Sequence, residues 1–355
     1  MKTIKDIAEE ANVSVGTVDR VIHKRNGVSP VTRAKVQLIL KKHNFKRNVL
    51  ASTLAYKKSY TIAVMLPSSD SKFDFWIEPI KGIETAIDEI RRYKVETLCF
   101  YFDKLNLASY KQTIKRVLDL NPDGLVLAPF FYSTSIEFTS ELNQRNIPYV
   151  FFNIDIESQQ NLTFIGQESF QSGLISGKLL NMILGKQDHI TILRSRKNVD
   201  THHSIDARSK GFVEFYLKNS SPRTIIELYA DDFNPEEIEN ILKRELSKNN
   251  LIKGIFVPSS GSSNVAEYIE KAEMKDMHLV GFDAHTGNLK YLESGTIDFL
   301  IDQDPFDQGY LGVKVLFEYL LFKKQPLKNY SSPINIVTKE NARFFRKPSM
   351  IGITS

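Results

Sequence analysis

Beyond residue 60 the chain alternates between apolar runs of strand length and stretches of helical spacing, and this restricts the fold more than any other feature. Strands are expected at 60–66, ended by Pro67, and at 95–102, 124–128 and 149–152. Helices are expected between them at 77–90, 110–120 and 135–145. A second series starts near Phe164, with helices at 171–184, 208–217, 235–247 and 263–270 and strands at 190–193, 224–229, 254–256 and 279–282. Such alternation implies parallel sheets with helices on both faces. Two series imply two lobes, with a ligand crevice between them at the carboxyl ends of the strands. The expected fold class is α/β: a two-lobed body of parallel sheets flanked by helices, preceded by an all-α head.

The head is set apart by its charge. Residues 1–60 hold 13 Lys and Arg against 4 Asp and Glu, a net +9, whereas the remaining 295 residues carry a net −4. A basic head on a slightly acidic body points to a polyanion partner at that end alone. Ile4, Ile7 and Ala8 form the apolar face of a short first helix, and Ala11-Asn12-Val13 breaks the pattern. Ser14 suits the N-cap of a second helix running to about His23, with Val18, Val21 and Ile22 inward and Val15, Gly16, Asp19 and Arg20 outward or on the flanks. A third helix follows Ser29-Pro30, with Val36, Ile39 and Leu40 facing in. Two short helices joined by a tight turn and braced by a third make a helix-turn-helix whose second helix fits the major groove.

The head segments Lys5-Asp6-Ile7-Ala8, Val13-Ser14, Thr17-Val18, Arg20-Val21, Val28-Ser29 and Thr32-Arg33 closely resemble those of the lactose-repressor (LacI/GalR) family. The resemblance implies base contacts from Val15, Gly16 and Arg20 and phosphate contacts from Ser14, Thr17, Ser29 and Thr32. Arg20 has the two-pronged geometry that bonds guanine O6 and N7, Val15 suits a thymine methyl, and Gly16 offers no side chain. Phosphate contacts set register without reading sequence. Asp19 departs from the family's small hydroxyl residue; its carboxylate either repels phosphate or accepts from a cytosine amino group. In the family a short hinge helix orders only on DNA and wedges a leucine into the minor groove; Leu54 matches that leucine and Ala51 the small residue where two such helices meet.

The body resembles the same family's effector domain and the periplasmic sugar-binding proteins of ribose-binding type. The matching segments are Phe73-Asp74-Phe75-Trp76, Arg208-Ser209-Lys210-Gly211-Phe212, Val280-Gly281-Phe282-Asp283 and Ile301-Asp302-Gln303-Asp304-Pro305 followed by Gln308-Gly309. That likeness implies a cleft with Phe75, Trp76 and Phe233 stacking on a sugar ring. Arg208, Asp283 and Gln303 would bond its hydroxyls, with Asn153 and Ser259 nearby. Core packing is the competing role for each aromatic. Asn153 and Ile154 stand where ribose binders carry aspartate and arginine, which argues against ribose itself. The lobes of that fold exchange strands three times, with crossings expected near Phe164, near 283–289 and near 325–330.

Other chemistries find little footing. No G-x-S-x-G elbow is present. Gly173 to Lys178 imitates a phosphate loop but has one residue too few between its glycines and lacks a following Ser or Thr, so it reads as a helix with packing glycines. His202-His203 with Asp200 and Asp206 reads as a polar surface cluster, so no metal site is expected. The acidic pair Asp302 and Asp304 could suggest glycosidase chemistry, but no catalytic role is assigned to it. Cys99, the only cysteine, fits a small core residue in a reducing compartment. The start shows no apolar leader core, and no run approaches a membrane span.

The sequence therefore predicts a cytoplasmic DNA-binding transcription regulator, most simply a repressor, with no catalytic residues and no cofactor. Its domains are a head at 1–46, a hinge helix and linker at 47–59, and an effector-binding domain at 60–355. The N-lobe is placed at about 60–163 and 290–326 and the C-lobe at about 164–289 and 327–355. Its partners would be a near-palindromic operator in double-stranded DNA, a sugar, and a second copy of the chain in a homodimer, with a higher oligomer left open and no membrane. The alternatives are a nucleobase-responsive repressor of the same family and a sugar-active enzyme carrying a DNA-binding head.

Overall fold

A computed structural model describes residues 2–22, 25–43, 59–69, 75–195, 203–218, 223–230 and 234–345. It falls into two compact units, Met1–Ser59 and Tyr60–Ser355. The expected hinge residues Ala51 and Leu54, and Phe233 of the cleft, lie outside the described residues.

The first unit contains α1 (Ile4–Ala11), α2 (Val15–Ile22) and α3 (Pro30–Lys42). Thr3 and Asp6 form a reciprocal capping box on α1, and Asn12 ends that helix in the left-handed conformation, which asparagine tolerates. Ser29 caps α3, and Pro30 occupies its first turn, where a missing N–H costs nothing. Ile7, Ala8, Ala11, Val18, Val21, Val36 and Ile39 close the small core. The Glu10 carboxylate ties α1 to the end of α3, accepting from Lys42 at 3.0 Å, from His43 at 2.8 Å, and from Lys2 at the chain start.

The second unit is two six-stranded sheets. The N-lobe strands are β1 (Tyr60–Pro67), β2 (Val95–Phe102), β3 (Gly124–Leu127), β4 (Tyr149–Phe152), β5 (Thr163–Gly166) and β11 (Asn329–Ser331), ordered β11-β5-β4-β3-β1-β2 and parallel throughout. The C-lobe strands are β6 (His189–Ser195), β7 (Ile225–Ala230), β8 (Ile252–Phe256), β9 (His278–Phe282), β10 (Phe299–Asp302) and β12 (Asn335–Val337). Their order is β12-β10-β9-β8-β6-β7, with β12 antiparallel to β10 and the others parallel.

The helices are α4 (Ile77–Ile90), α5 (Leu107–Leu120), α6 (Tyr132–Gln144), α7 (Ser169–Ile183), α8 (His203–Lys218), α9 (Pro235–Lys248), α10 (Ser262–Lys271), α11 (Thr286–Ser294) and α12 (Pro305–Phe322). Strand residues point alternately to the two faces, so a doubly covered sheet needs apolar residues at every position. In the C-lobe Leu193, Ile255, Leu279 and Leu300 feed the core under α9, α10 and α11. Their neighbours Ile192, Phe256, Val280 and Ile301 feed the core under α7 and α8.

The chain crosses between lobes from β5 to α7, from β10 to α12 and from β11 to β12. The second crossing lies at Gln303-Asp304, not at the expected 283–289, so residues 290–302 belong to the C-lobe. The reason is packing: Leu289 and Leu292 of α11 are buried in one core with Leu279 and Leu300. Helix α12 instead packs Val313, Leu316 and Leu320 into the N-lobe core. Strand β11, which follows it, pairs with β5, so residues 327–331 belong to the N-lobe and not, as expected, to the C-lobe. Asp304 is not on a strand; it precedes α12 at φ 50° and donates its N–H to the Asp302 carboxylate at 3.0 Å.

One side chain spans all three crossings. Gln167, nearly fully buried between β5 and α7, donates from Nε2 to the Asp302 carbonyl at 3.1 Å and to the Pro333 carbonyl at 2.9 Å.

Candidate functional site

In the head, Val15, Gly16 and Arg20 are all exposed on α2. A Cβ on Gly16 would meet nothing nearer than the Ser14 hydroxyl at 3.7 Å, so the missing side chain is not a packing requirement. The four hydroxyl residues form two pairs at helix starts. Ser14 Oγ lies 2.9 Å from Thr17 Oγ1 and accepts the Thr17 N–H, and Ser29 Oγ donates to Thr32 Oγ1 at 2.8 Å. Asp19 pairs with Arg25 at 3.4 Å, a contact that sequence spacing did not suggest.

In the body, the carboxyl ends of parallel strands collect the polar residues. Asn153 follows β4, Ser259 lies three residues past β8, Asp283 follows β9 and Gln303 follows β10. Asn153 and Asp283 take φ of 64° and 69°, a conformation that short polar side chains tolerate best. Both turns are fastened from behind, that of Asn153 by its N–H donating to the Ile165 carbonyl at 2.9 Å. Asp283 N–H donates to the Ile301 carbonyl at 2.8 Å, and the fully buried Asn288 donates to the Phe282 and Asp283 carbonyls at 2.8 and 2.9 Å.

These residues are joined into one network. Arg208, almost fully buried on α8, donates from Nη1 to the Pro258 carbonyl and from Nη2 to Gln303 Oε1, each at 3.1 Å. Its guanidinium lies 3.9 Å from the centre of the Phe282 ring. Gln303 Nε2 donates to Asp283 Oδ1 at 2.8 Å, and Asn153 Nδ2 donates to Gln303 Oε1 at 3.3 Å. Burial lowers the Arg208 guanidinium to about 10, and the Asp283 carboxylate opposes that fall, so the arginine stays cationic at neutral pH. Arg208 Nε and Ser259 Oγ are buried with no hydrogen-bond partner among the described residues. Two unmatched polar atoms beside one network are costly unless something else completes them.

Phe75 and Trp76, in the turn before α4, are buried within a cluster of rings. Trp76 meets Phe75 at 5.2 Å, Phe130 at 5.5 Å and Phe152 at 5.9 Å. Phe152 immediately precedes Asn153, so these rings back the polar network from the N-lobe side. Ile154 is buried in the N-lobe core. Phe130 was missed in the sequence, and Gln308, although part of a matching segment, was given no role there. Phe130 could have been found by asking which aromatics follow a strand end, as it does β3. Gln308, on α12, left no such signal. His203, at the start of α8, sets its ring 4.1 Å from that of Tyr132 on the other lobe. Gly173 sits inside α7, where a Cβ would lie 2.0 Å from the Arg208 carbonyl, as expected of a packing glycine.

A helix-turn-helix head followed by a two-lobed α/β body with a polar network at its strand ends defines a DNA-binding regulator with a binding-protein-like sensor. Residues 62–324 match the periplasmic binding protein domain, and residues 3–48 match the bacterial regulatory proteins of the lacI family. The chain belongs to that family and is a transcription regulator of its kind. It is 26% identical over 348 residues to the ribose operon repressor of Halalkalibacterium halodurans, covering 97% of this chain and 98% of that one. Among solved structures, one described as a LacI transcriptional regulator from Bacteroides fragilis superposes with a TM-score of 0.76 and 27% identity, covering 81% of this chain and all of that one. A glucose-galactose binding protein from Geobacillus stearothermophilus shares the fold at a TM-score of 0.70, 18% identity and 80% coverage of this chain. Among the described residues no helix is long and apolar enough to cross a membrane.

Proposed function

We infer that the chain is a cytoplasmic repressor whose operator affinity is set by a neutral sugar held between the lobes. The observation that carries this reading is the network of Arg208, Asp283, Gln303 and Asn153, backed by aromatic rings and holding the unpartnered Arg208 Nε and Ser259 Oγ. Charged and amide groups of this kind grip adjacent hydroxyls. The name of one relative that spans nearly its whole length, a ribose operon repressor, points to the same ligand class. The chain acts as a homodimer on a near-palindromic operator, because a two-fold protein reads two-fold DNA. It is a binding protein and not an enzyme. Arg20, Val15 and the open position at Gly16 read bases, while Ser14, Thr17, Ser29 and Thr32 hold the phosphates.

The test is a thermal-shift screen of neutral pentoses, hexoses and purines, paired with operator selection from a random DNA pool. A sugar should raise the melting temperature and change affinity for the selected DNA about 5–150-fold, the usual size of allosteric coupling. A purine that stabilises where no sugar does would replace the ligand class. Loss of the selected DNA's affinity by about 1–3 kcal/mol in Arg20→Ala checks the recognition helix, and sedimentation of the complex checks the dimer.

A further inference from the structure

The donor and acceptor ends of the cleft network are fixed by groups that have no choice of role. An arginine has no acceptor and a carboxylate no donor. Arg208 Nη2 at one end and Asp283 Oδ1 at the other therefore dictate which way the Gln303 amide points, with its oxygen to the arginine and its nitrogen to the acid. Gln308, fully buried in the first turns of α12, is oriented just as firmly. Its Nε2 donates to the Gln303 main-chain carbonyl at 2.7 Å, an acceptor that cannot be reversed. Its Oε1 is thereby turned to Asn153, whose Nδ2 it meets at 3.2 Å. Asn153 thus faces two amide oxygens, Gln303 Oε1 and Gln308 Oε1, and satisfies both with its two N–H groups. Its own Oδ1 accepts no hydrogen bond among the described residues and is left for whatever enters the cleft.

We propose that Gln308 is a positioning residue for ligand specificity: together with Gln303 it locks the Asn153 amide so that this position offers the ligand an acceptor and takes a neutral polyol that donates a hydroxyl. The ligand part rests on the sugar-sensor reading above; the lock does not. The lock also explains why an amide and not a carboxylate stands at 153. An ionised aspartate there would set its acceptor oxygens against two others, and Gln303 cannot turn to relieve it. The charged groups around the network are Arg208, Asp283, Asp302 and Asp304, with Asp155 two residues along the chain. All are common to every variant compared below.

The experiment melts the full chain at pH 5 and pH 8 as wild type, Asn153→Asp, Asn153→Leu, Gln308→Leu and the double variant Asn153→Asp/Gln308→Leu. Asn153→Asp should melt several degrees below wild type at pH 8, with the gap at least halved at pH 5, where a protonated carboxyl recovers a donor. The folded pKa of that carboxyl is raised, so its penalty grows as pH rises. Asn153→Leu should show the same gap at both pH values, a pattern that separates polarity from simple packing loss. Removing the facing oxygen with Gln308→Leu should shrink the pH dependence of Asn153→Asp. A pH-independent gap, or one unaffected by Gln308→Leu, overturns the lock. If Asn153→Asp folds only at pH 5 and unfolds on transfer to pH 8, the lock is supported; if it folds at neither pH while Asn153→Leu folds, the lock is wrong. D-ribose and D-ribonate, added to wild type, separate the two readings. Stabilisation by the acid in preference to the neutral sugar overturns the specificity claim. Absence of any shift from the whole sugar panel counts against the sensor reading, and the melts still decide the lock.

Discussion

The N-lobe brings rings and one amide to the cleft, whereas the C-lobe and the β10 crossing bring a guanidinium, a carboxylate, a hydroxyl and a glutamine. Phe75, Trp76, Phe130 and Phe152 pack around Trp76 through edge and tilted contacts, so the rings of the N-lobe wall are complete without a ligand, whereas Asn153 beside them keeps an open acceptor. Arg208 and Ser259 on the C-lobe each retain a buried polar atom without a partner among the described residues. The difference teaches that packing and readiness to bind are carried by different groups: the rings supply an apolar backing, while Asn153, Arg208 and Ser259 carry the polar atoms that a ligand would complete.

The largest test of that contrast is Trp76→Ala. Emptying the centre of the ring cluster should cost about 4 kcal/mol in denaturant melts, the size of a large core truncation. A loss near zero would show that the N-lobe wall does not depend on the ring. Arg208→Leu should cost about 3 kcal/mol by removing the buried cation that bonds Gln303 Oε1 and the Pro258 carbonyl, and should abolish sugar-induced stabilisation. Stability kept and binding lost together would show that the C-lobe network serves the ligand alone.

Burial raises the Asp302 carboxyl to about 6 from 3.8. A carboxyl raised on folding favours the folded state most when protonated. Stability should therefore be highest below pH 4 as far as this group is concerned, and fall by about 3 kcal/mol as pH rises through 6. Asp302→Asn should flatten that part of the pH–stability curve. Gly173→Ala would set a methyl 2.0 Å from the Arg208 carbonyl, and because that atom is backbone, α8 must shift, at about 3 kcal/mol of overpacking. It should weaken ligand binding by shifting α8, whereas a mild cost with unchanged binding would separate that helix contact from the cleft.

Much of this was legible in the sequence because strand ends are. Asn153 and Asp283 follow an apolar run directly and Gln303 follows one after Asp302, and parallel topology gathers such residues at one edge. The head was legible because helical periodicity and hydroxyl caps agree, as Ser14 and Ser29 show. The second crossing was not, because α11 packs into the C-lobe core with the spacing it would show against either sheet. Gln308 was hidden for a related reason: a buried amide on a helix is recognisable only through partners 5 and 155 residues away. Phe75 and Trp76 could be placed at the strand-end rim, but the burial of both rings follows from Phe130 and Phe152, which sequence spacing does not bring together.

Gln167 sets how the two lobes are allowed to move. Three separate strings between two bodies would permit twisting and sliding as well as opening. A single amide bonded to Asp302 and Pro333 from between β5 and α7 ties all three into a common spine, the arrangement that favours opening over sliding. Its Oε1 is buried without a partner among the described residues, so the binding of that spine is itself slightly under-sewn.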